Sequence, residues 1–348
     1  MKVKLKFIPL KYKNKEIIII DQTKLPHKIV YKKLKNYKQL GNSIKKLEIR
    51  GAPLLGIAPA FGILLAIEKF QTNNFNLFYN YFKKVANYLK STRPTAVNLF
   101  HSIERIEKII LENKNKSIKE IKLLIKKEAE KIFNEDLEIS YKIGEYGSEL
   151  IKDGDVILTH CNAGGLATSG LGTALACMFI AKLKNKKFEV IATETRPLWQ
   201  GARLTTWELL KWNIPVTLIC DNTASYVMKL KKVNLVITGA DRIAKNGDTA
   251  NKIGTYNLAL AAYYHKIPFY IAAPSTTFDL KIENGSQIPI EYRNSKEITM
   301  PFGKKISPDN VKTLNPAFDV TPSKLISGFI TEKGILYKPF KKSFKKLL

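Results

Sequence analysis

The sequence predicts an α/β fold in two parts, and three observations predict it. From Asp155 onward, short apolar runs alternate with helical stretches, the pattern of a parallel sheet wound from βαβ units. Ahead of that point lie two short strand-like runs and then mostly helical periodicity, ending in the Lys/Glu-rich stretch 117–150. The chain has 348 residues, enough for two domains or one large one, and at 45% apolar and 25% charged it has an ordinary globular composition with ample core.

In order, residues 1–25 read as strands over Lys2–Ile8 and Glu16–Asp21, with a turn at Lys11–Lys15. DQTKLP then leads into a helical region from about Lys28 to Leu47. Arg50-Gly51-Ala52-Pro53 makes a turn, and Gly56–Phe70 is a small-residue helix suited to close packing. Backbone N–H groups at Gly51 and Ala52, beside Arg50, suit a phosphate or oxyanion. The alternative there is a tight turn with close helix packing. Residues 75–90 place Phe78, Tyr81, Phe82, Val85 and Leu89 on one helical face. Pro94 makes Thr95 the N-cap of the next helix, and Arg93 at that helix start is electrostatically unfavourable without an anion. His101 reads as a surface or packing histidine. Ser117-x-x-Glu120 resembles a capping box.

The second part reads as strands Val156–His160, Phe188–Thr193, Pro215–Ile219, Leu235–Gly239 and Pro268–Ala272. Helices are expected over about 172–183, 199–212, 222–230 and 251–264. Parallel sheets of this kind bind ligands at the C-terminal strand ends. There the sequence places His160-Cys161-Asn162, then Glu194-Thr195-Arg196-Pro197 with Gln200 and Arg203, then Cys220-Asp221-Asn222 and Gly239-Ala240-Asp241-Arg242. The most distinctive stretch is ILTHCNAGGLATSGLGTALA, 157–176: a strand, a glycine-rich turn, then a helix. Such a turn favours an anion and would favour a thiolate at Cys161. The alternative is a glycine-rich connection with a buried cysteine. In GADRIAKNGDTANKIGTY, Gly247-Asp248 reads as a turn and Asn251-Lys252 as the opening of a helix, with Lys252 a point charge for a phosphate.

Other classes are disfavoured. A net charge of +28 suggests nucleic acid, but 51 of the 58 basic residues are Lys, spread along the whole chain, with no recognition motif. Five of the seven Arg (Arg50, Arg93, Arg196, Arg203, Arg242) fall in the blocks singled out above, where planar bidentate donors suit phosphate. Cys161, Cys177 and Cys220 form no disulfide framework, which points to a reducing compartment. The four His are far apart, so a structural metal is not expected. Neither a P-loop nor a dinucleotide fingerprint is present. The expectation is a cytoplasmic protein without signal peptide or membrane span, and without nucleic-acid or membrane partners.

Taken together, RGAPLLGIA, RPTAVNL, LTHCNAGGLATSGLGTAL, ETRPLWQGARLTTWEL and GADRIAKNGDTANKIGTYNLAL resemble the methylthioribose-1-phosphate isomerases of methionine salvage. DQTKLP and NPAFDVTPSKLISGFITEKG are similar too, so the likeness spans roughly residues 5–340. The chain departs from the family pattern at Pro59, Gly165, Ser169 and Leu171. The resemblance implies an N-terminal domain of a small β-sheet plus helices, residues 1–130, and a Rossmann-like catalytic domain, residues 131–348. It implies an aldose–ketose isomerase acting on 5-methylthioribose 1-phosphate, without metal or organic cofactor, and a homodimer. Carried over by motif, Cys161 is the transition-state residue and Asp241 the proton donor. Arg50, Gly51, Ala52, Arg93, Gln200, Asn251 and Lys252 would bind the sugar phosphate. The chemistry suits these types. The anomeric phosphate locks the furanose, so an acid must protonate the ring oxygen before hydrogen passes from C2 to C1.

Two rivals share these motifs. A sister isomerase of ribose 1,5-bisphosphate or deoxyribose phosphate would need a basic rather than apolar pocket at the 5-position. Leu54, Leu55, Phe61, Trp199 and Leu204 are the apolar candidates here. Regulatory subunits of the translation-initiation exchange factor share the fold as protein-binding modules.

Overall fold

The computed structural model describes residues 3–93 and 97–347. The chain divides into two compact units: residues 1–139 with 165–172, and residues 140–164 with 173–348. The division falls at 139/140 rather than 130/131, and the glycine-rich stretch is split by it, residues 165–172 packing with the first unit.

Unit 1 opens with an antiparallel sheet, β1 (Leu10–Lys13), β2 (Glu16–Ile20) and β3 (Tyr31–Leu34). Asn14 and Lys15, both at positive φ, form the β1–β2 turn, as a two-residue hairpin requires. Residues 3–8 form no strand. Their apolar alternation instead lays Leu5 against Gly170 and Phe7 against Gly165. Tyr31–Leu34, expected as helix, is strand β3 in register with β2. Four residues carry too little periodicity to tell the two states apart.

Five helices follow: α1 (Tyr37–Lys45), α2 (Ala52–Lys69), α3 (Phe75–Lys90), α4 (Val97–Glu112) and α5 (Ile118–Glu149). Asn36 and Asn74 cap α1 and α3 through their side chains, and Ser117 with Glu120 forms the expected capping box of α5. The proposed Thr95 cap lies outside the described residues. α2 is apolar and long enough to cross a membrane, but residues 54–67 are all buried, as expected of a helix at the centre of a core. α3 and α4 pack Phe78, Phe82, Leu99 and Ile103 into that core.

Unit 2 is built on a seven-stranded sheet. Its strands are β4 (Val156–Thr159), β5 (Glu189–Thr193), β6 (Val216–Ile219), β7 (Leu235–Thr238), β10 (Phe269–Ala272), β13 (Gly328–Thr331) and β14 (Gly334–Tyr337). Their spatial order is β14-β13-β10-β7-β4-β5-β6, parallel except for β14. This is the doubly wound order: the chain runs outward from β4 to β6, then returns to β7 on the other side of β4. All five expected strands are present. The connecting helices are α6 (Ala174–Leu183), α7 (Thr206–Lys211), α8 (Ala224–Lys229) and α9 (Thr255–Tyr264).

A second sheet, absent from the sequence reading, orders β11 (Phe278–Asp279), β8 (Arg242–Ala244), β9 (Thr249–Lys252) and β12 (Phe318–Thr321). Asn251-Lys252 therefore ends strand β9 rather than opening a helix. The hairpin turns at Asn246-Gly247, with Gly247 at φ 91°, and α9 starts only at Thr255. The polar run KNGDTANK disguised β9, and β8, three residues long, is too short to show a period.

Candidate active site

The return from β6 to β7 creates a switch point beside β4, where diverging connections leave a crevice for a ligand. β4 delivers His160, Cys161 and Asn162 there, β5 delivers Thr195, Arg196 and Gln200, and β7 delivers Asp241.

The β4 end is held by a polar network. His160 is buried; its Nδ1 lies 2.6 Å from Thr193 Oγ1 and its Nε2 2.9 Å from the Ile253 carbonyl. Burial pushes the imidazole pKa down, against the opposing pull of Asp221 3.9 Å away. The neutral ring therefore donates Nε2–H to Ile253 and accepts the Thr193 hydroxyl at Nδ1. Cys161 follows at φ 61°, the left-handed region that a residue with a Cβ seldom occupies. Two hydroxyls fix it: Thr195 Oγ1 accepts its N–H at 2.9 Å, and Thr205 donates to its carbonyl at 2.5 Å. Asn162 donates to the buried Glu208 carboxylate at 2.8 Å.

The β5 end is a compact turn. Thr195 and Trp199 also have positive φ, at 65° and 53°. Asp221, from the end of β6, accepts the N–H groups of Thr195 and Arg196, each at 2.7 Å. The chain then coils through a wide π-type turn, Gly201–Thr205, into α7, the kind of irregularity often kept at functional sites. A Cβ on Gly201 would stand 1.8 Å from the Thr193 carbonyl oxygen, so only glycine lets this turn close against β5. Gln200 is held there, buried, with no partner for its Oε1 among the described residues.

At β7, the Asp241 N–H donates to the Ala250 carbonyl at 2.9 Å, joining it to β9. Asn251 is buried and donates to Thr255 Oγ1 at 2.9 Å; Lys252 Nζ lies 4.8 Å from the Phe318 ring centroid. Asp319, opposite Asn251 on β12, accepts from the N–H groups of Gly254 and Tyr256 and so caps α9. Burial pushes its carboxyl up to about 6. The His160–Ile253 bond fastens this β9–α9 corner to the β4 end.

In unit 2, Cys161, Gln200 and Asp241 thus follow the C-terminal ends of β4, β5 and β7, and Asn251 and Lys252 end β9. Arg50, Gly51, Ala52 and Arg93 belong to unit 1. Gly51 caps α2 at φ 100°, and a Cβ there would stand 2.5 Å from Ala167 Cβ. The first turn of α2 holds no acid, so Arg50 sits beside an uncompensated positive helix end.

Of the other cysteines, Cys177 is buried, its thiol pushed up to about 12, and Cys220 is exposed beyond β6. Among the described residues no three His, Cys, Asp or Glu side chains gather where they would hold a metal ion. Of the apolar candidates for the 5-position, Leu54, Leu55, Phe61 and Leu204 are buried core residues, while Trp199 is only half-buried at the strand ends. Sequence reading missed the roles of His160, Thr193, Thr195, Thr205, Glu208 and Asp319. Asp221 signalled itself only by its place at a strand end.

Residues 48–338 match the model of the initiation factor 2 subunit family. Methylthioribose-1-phosphate isomerase of Acetivibrio thermocellus is 52% identical over 338 residues, 97% of this chain and 99% of that one. The crystal structure of 5-methylthioribose 1-phosphate isomerase from Pyrococcus horikoshii OT3 superposes with TM-score 0.93 at 43% identity, covering 98% of this chain and 95% of that one. A structure described as translation initiation factor eIF-2B, subunit delta, from A. fulgidus gives TM-score 0.89 at 45% identity, covering 98% and 99%.

Proposed function

The chain belongs to the initiation factor 2 subunit family, among its methylthioribose-1-phosphate isomerases, and from that premise we propose how its residues perform the isomerisation. It is an aldose–ketose isomerase that converts 5-methylthioribose 1-phosphate to 5-methylthioribulose 1-phosphate. The observation that carries this is full-length identity near one half to relatives of that name.

Asp241 gives its proton to the ring oxygen as the C1–O bond breaks. The hydrogen on C2 then moves to C1, and the proton of the 2-hydroxyl returns to Asp241 as the C2 ketone forms. Cys161 either carries the C2 hydrogen as a proton through an enol or stabilises charge while it migrates as hydride. Turnover in D2O separates the two routes: deuterium at C1 assigns the first, and its absence the second. Gln200, Asn251 and Lys252 bind the sugar phosphate, and Arg50, Gly51, Ala52 and Arg93 supply phosphate donors. The switch-point location of Cys161 and Asp241 supports this reading.

We further propose a cytoplasmic homodimer working in methionine salvage without nucleic-acid or membrane partners; light scattering of the purified protein tests the dimer. The decisive assay compares turnover of 5-methylthioribose 1-phosphate with that of ribose 1,5-bisphosphate. Preference for the first is expected. Preference for the second makes the chain a sister isomerase. Turnover of neither favours the binding-module reading that the A. fulgidus relative raises.

A further inference from the structure

Arg196 differs from the paired arginines of unit 2. Arg242 meets Asp279 at 3.2 Å, and Arg293 meets Glu291 and Glu297 at 2.9 and 2.5 Å. The Arg196 guanidinium, half-buried beyond β5, pairs with no carboxylate among the described residues. Asp221, the acid beside it, is engaged by the backbone of Thr195 and Arg196 instead. Nη2 makes one long bond, 3.4 Å, to the Ile298 carbonyl, and Nη1 is buried with no acceptor among the described residues.

The group is nonetheless held in place. Its Cζ lies 4.3 Å from the Trp199 ring centroid, and Trp199 stacks on Phe302 at 4.5 Å. Gln200 Oε1, at the far end of the same six-residue turn, is a buried acceptor with no donor among the described residues. Buried orphans are rare in native interiors, and each calls for a strain, a water or a ligand to explain it. Here a cationic donor and a neutral acceptor, both without a partner among the described residues, stand on the one turn that follows β5 at the switch point. Their shared complement is a small molecule bearing both an anionic oxygen and a hydroxyl. In a chain that uses Lys for 51 of its 58 basic residues, Arg at this point supplies a planar donor that stacks on an aromatic ring.

We propose that Arg196 is a further substrate-binding residue, donating through Nη1 to an anionic oxygen of the sugar phosphate while Gln200 Oε1 accepts one of its hydroxyls. This rests on the isomerase reading and adds to it a residue outside the motif-derived set.

The test compares wild type, Arg196→Lys and Arg196→Gln for kcat, KM and inhibition by inorganic phosphate. Losing one hydrogen bond to a charged group should raise KM roughly 10- to 100-fold in Arg196→Gln, and less in Arg196→Lys. Turnover at saturation should stay within about threefold, because the contact binds ground and transition states alike. The phosphate inhibition constant should rise in step. A KM within about twofold of wild type in both variants, or a loss confined to kcat, overturns the proposal. Raised KM with unchanged phosphate inhibition overturns the assignment to an anionic oxygen. If Arg196→Gln does not fold, Arg196→Lys decides by the same criteria. If wild type turns over no sugar phosphate, the isomerase reading is what fails. Calorimetry of inorganic phosphate on wild type and Arg196→Lys then still decides whether Arg196 binds an anion.

Discussion

His160 and Ile253, 93 residues apart, are joined by one hydrogen bond of 2.9 Å from the imidazole Nε2 to the carbonyl. Because His160 precedes Cys161 and Ile253 follows Lys252, the bond sets the spacing between two proposed functional side chains. The Gly254 backbone packs against the same ring.

His160→Phe keeps the ring volume but leaves the Ile253 carbonyl and the Thr193 hydroxyl unpaired. Each orphan costs about 1–3 kcal/mol, so denaturant titration should show a loss of roughly 2–6 kcal/mol. His160→Gln, which keeps a donor for Ile253, should lose less and retain more kcat/KM. Equal losses in both variants would remove the strut role.

Asp241→Asn cannot protonate the ring oxygen. Its kcat should fall by at least about 10²-fold with its fold intact, since general acid catalysis contributes roughly 10²–10⁴-fold. Near-full turnover would take Asp241 out of the mechanism. Cys161→Ser, with a less acidic and less polarisable atom, should also lose most activity while circular dichroism is unchanged.

Gly201→Ala places a methyl 1.8 Å from the Thr193 carbonyl oxygen, a distance no Cβ tolerates. Backbone is opposed to backbone, so relief requires the turn to move. Destabilisation at or above the roughly 1–3 kcal/mol typical of overpacking is expected, with KM raised through displaced Gln200. Wild-type stability in this variant would show that the turn is free to shift.

The raised Asp319 carboxyl makes a prediction about pH. Its value in the folded chain is about 6 against 3.8 unfolded, so between these the folded chain holds a proton that the unfolded chain has lost. Stability from this group is greatest below the unfolded value and declines as pH rises through the folded one. Asp319→Asn abolishes that decline. Its urea midpoint at pH 7, relative to pH 5, should lie above the corresponding wild-type difference; identical differences would show that the carboxyl ionises normally.

Much of the fold was legible because its signal is local. The five strands beside helices carry runs such as VILT and LVIT that few other structures accommodate. The strand-end positions of Cys161, Gln200 and Asp241 were legible from the alternation of strands and helices. What escaped were pairings at a distance. β9 is written in the polar run TANK and β8 is only three residues long, so both become strands only by meeting each other and their outer neighbours β12 and β11. His160 draws its role from Thr193 and Ile253, 33 and 93 residues away, and no window of sequence contains all three. Lys2–Ile8 failed for the opposite reason, its apolar alternation being used against a loop instead of a neighbouring strand.

The split of the glycine-rich stretch bears on the order in which this protein comes off the ribosome. Unit 1 lacks its final piece when residue 139 has emerged. Residues 165–172, which supply Leu166 O to Gln22 and the Ser169 N–H to Asp136, arrive only after β4 of unit 2. At the usual 5–20 residues per second, the nascent first unit waits a few seconds with those partners unmet. Until then only the N-terminal end of α2, where a Cβ on Gly51 would meet Ala167, lacks the neighbour that covers it.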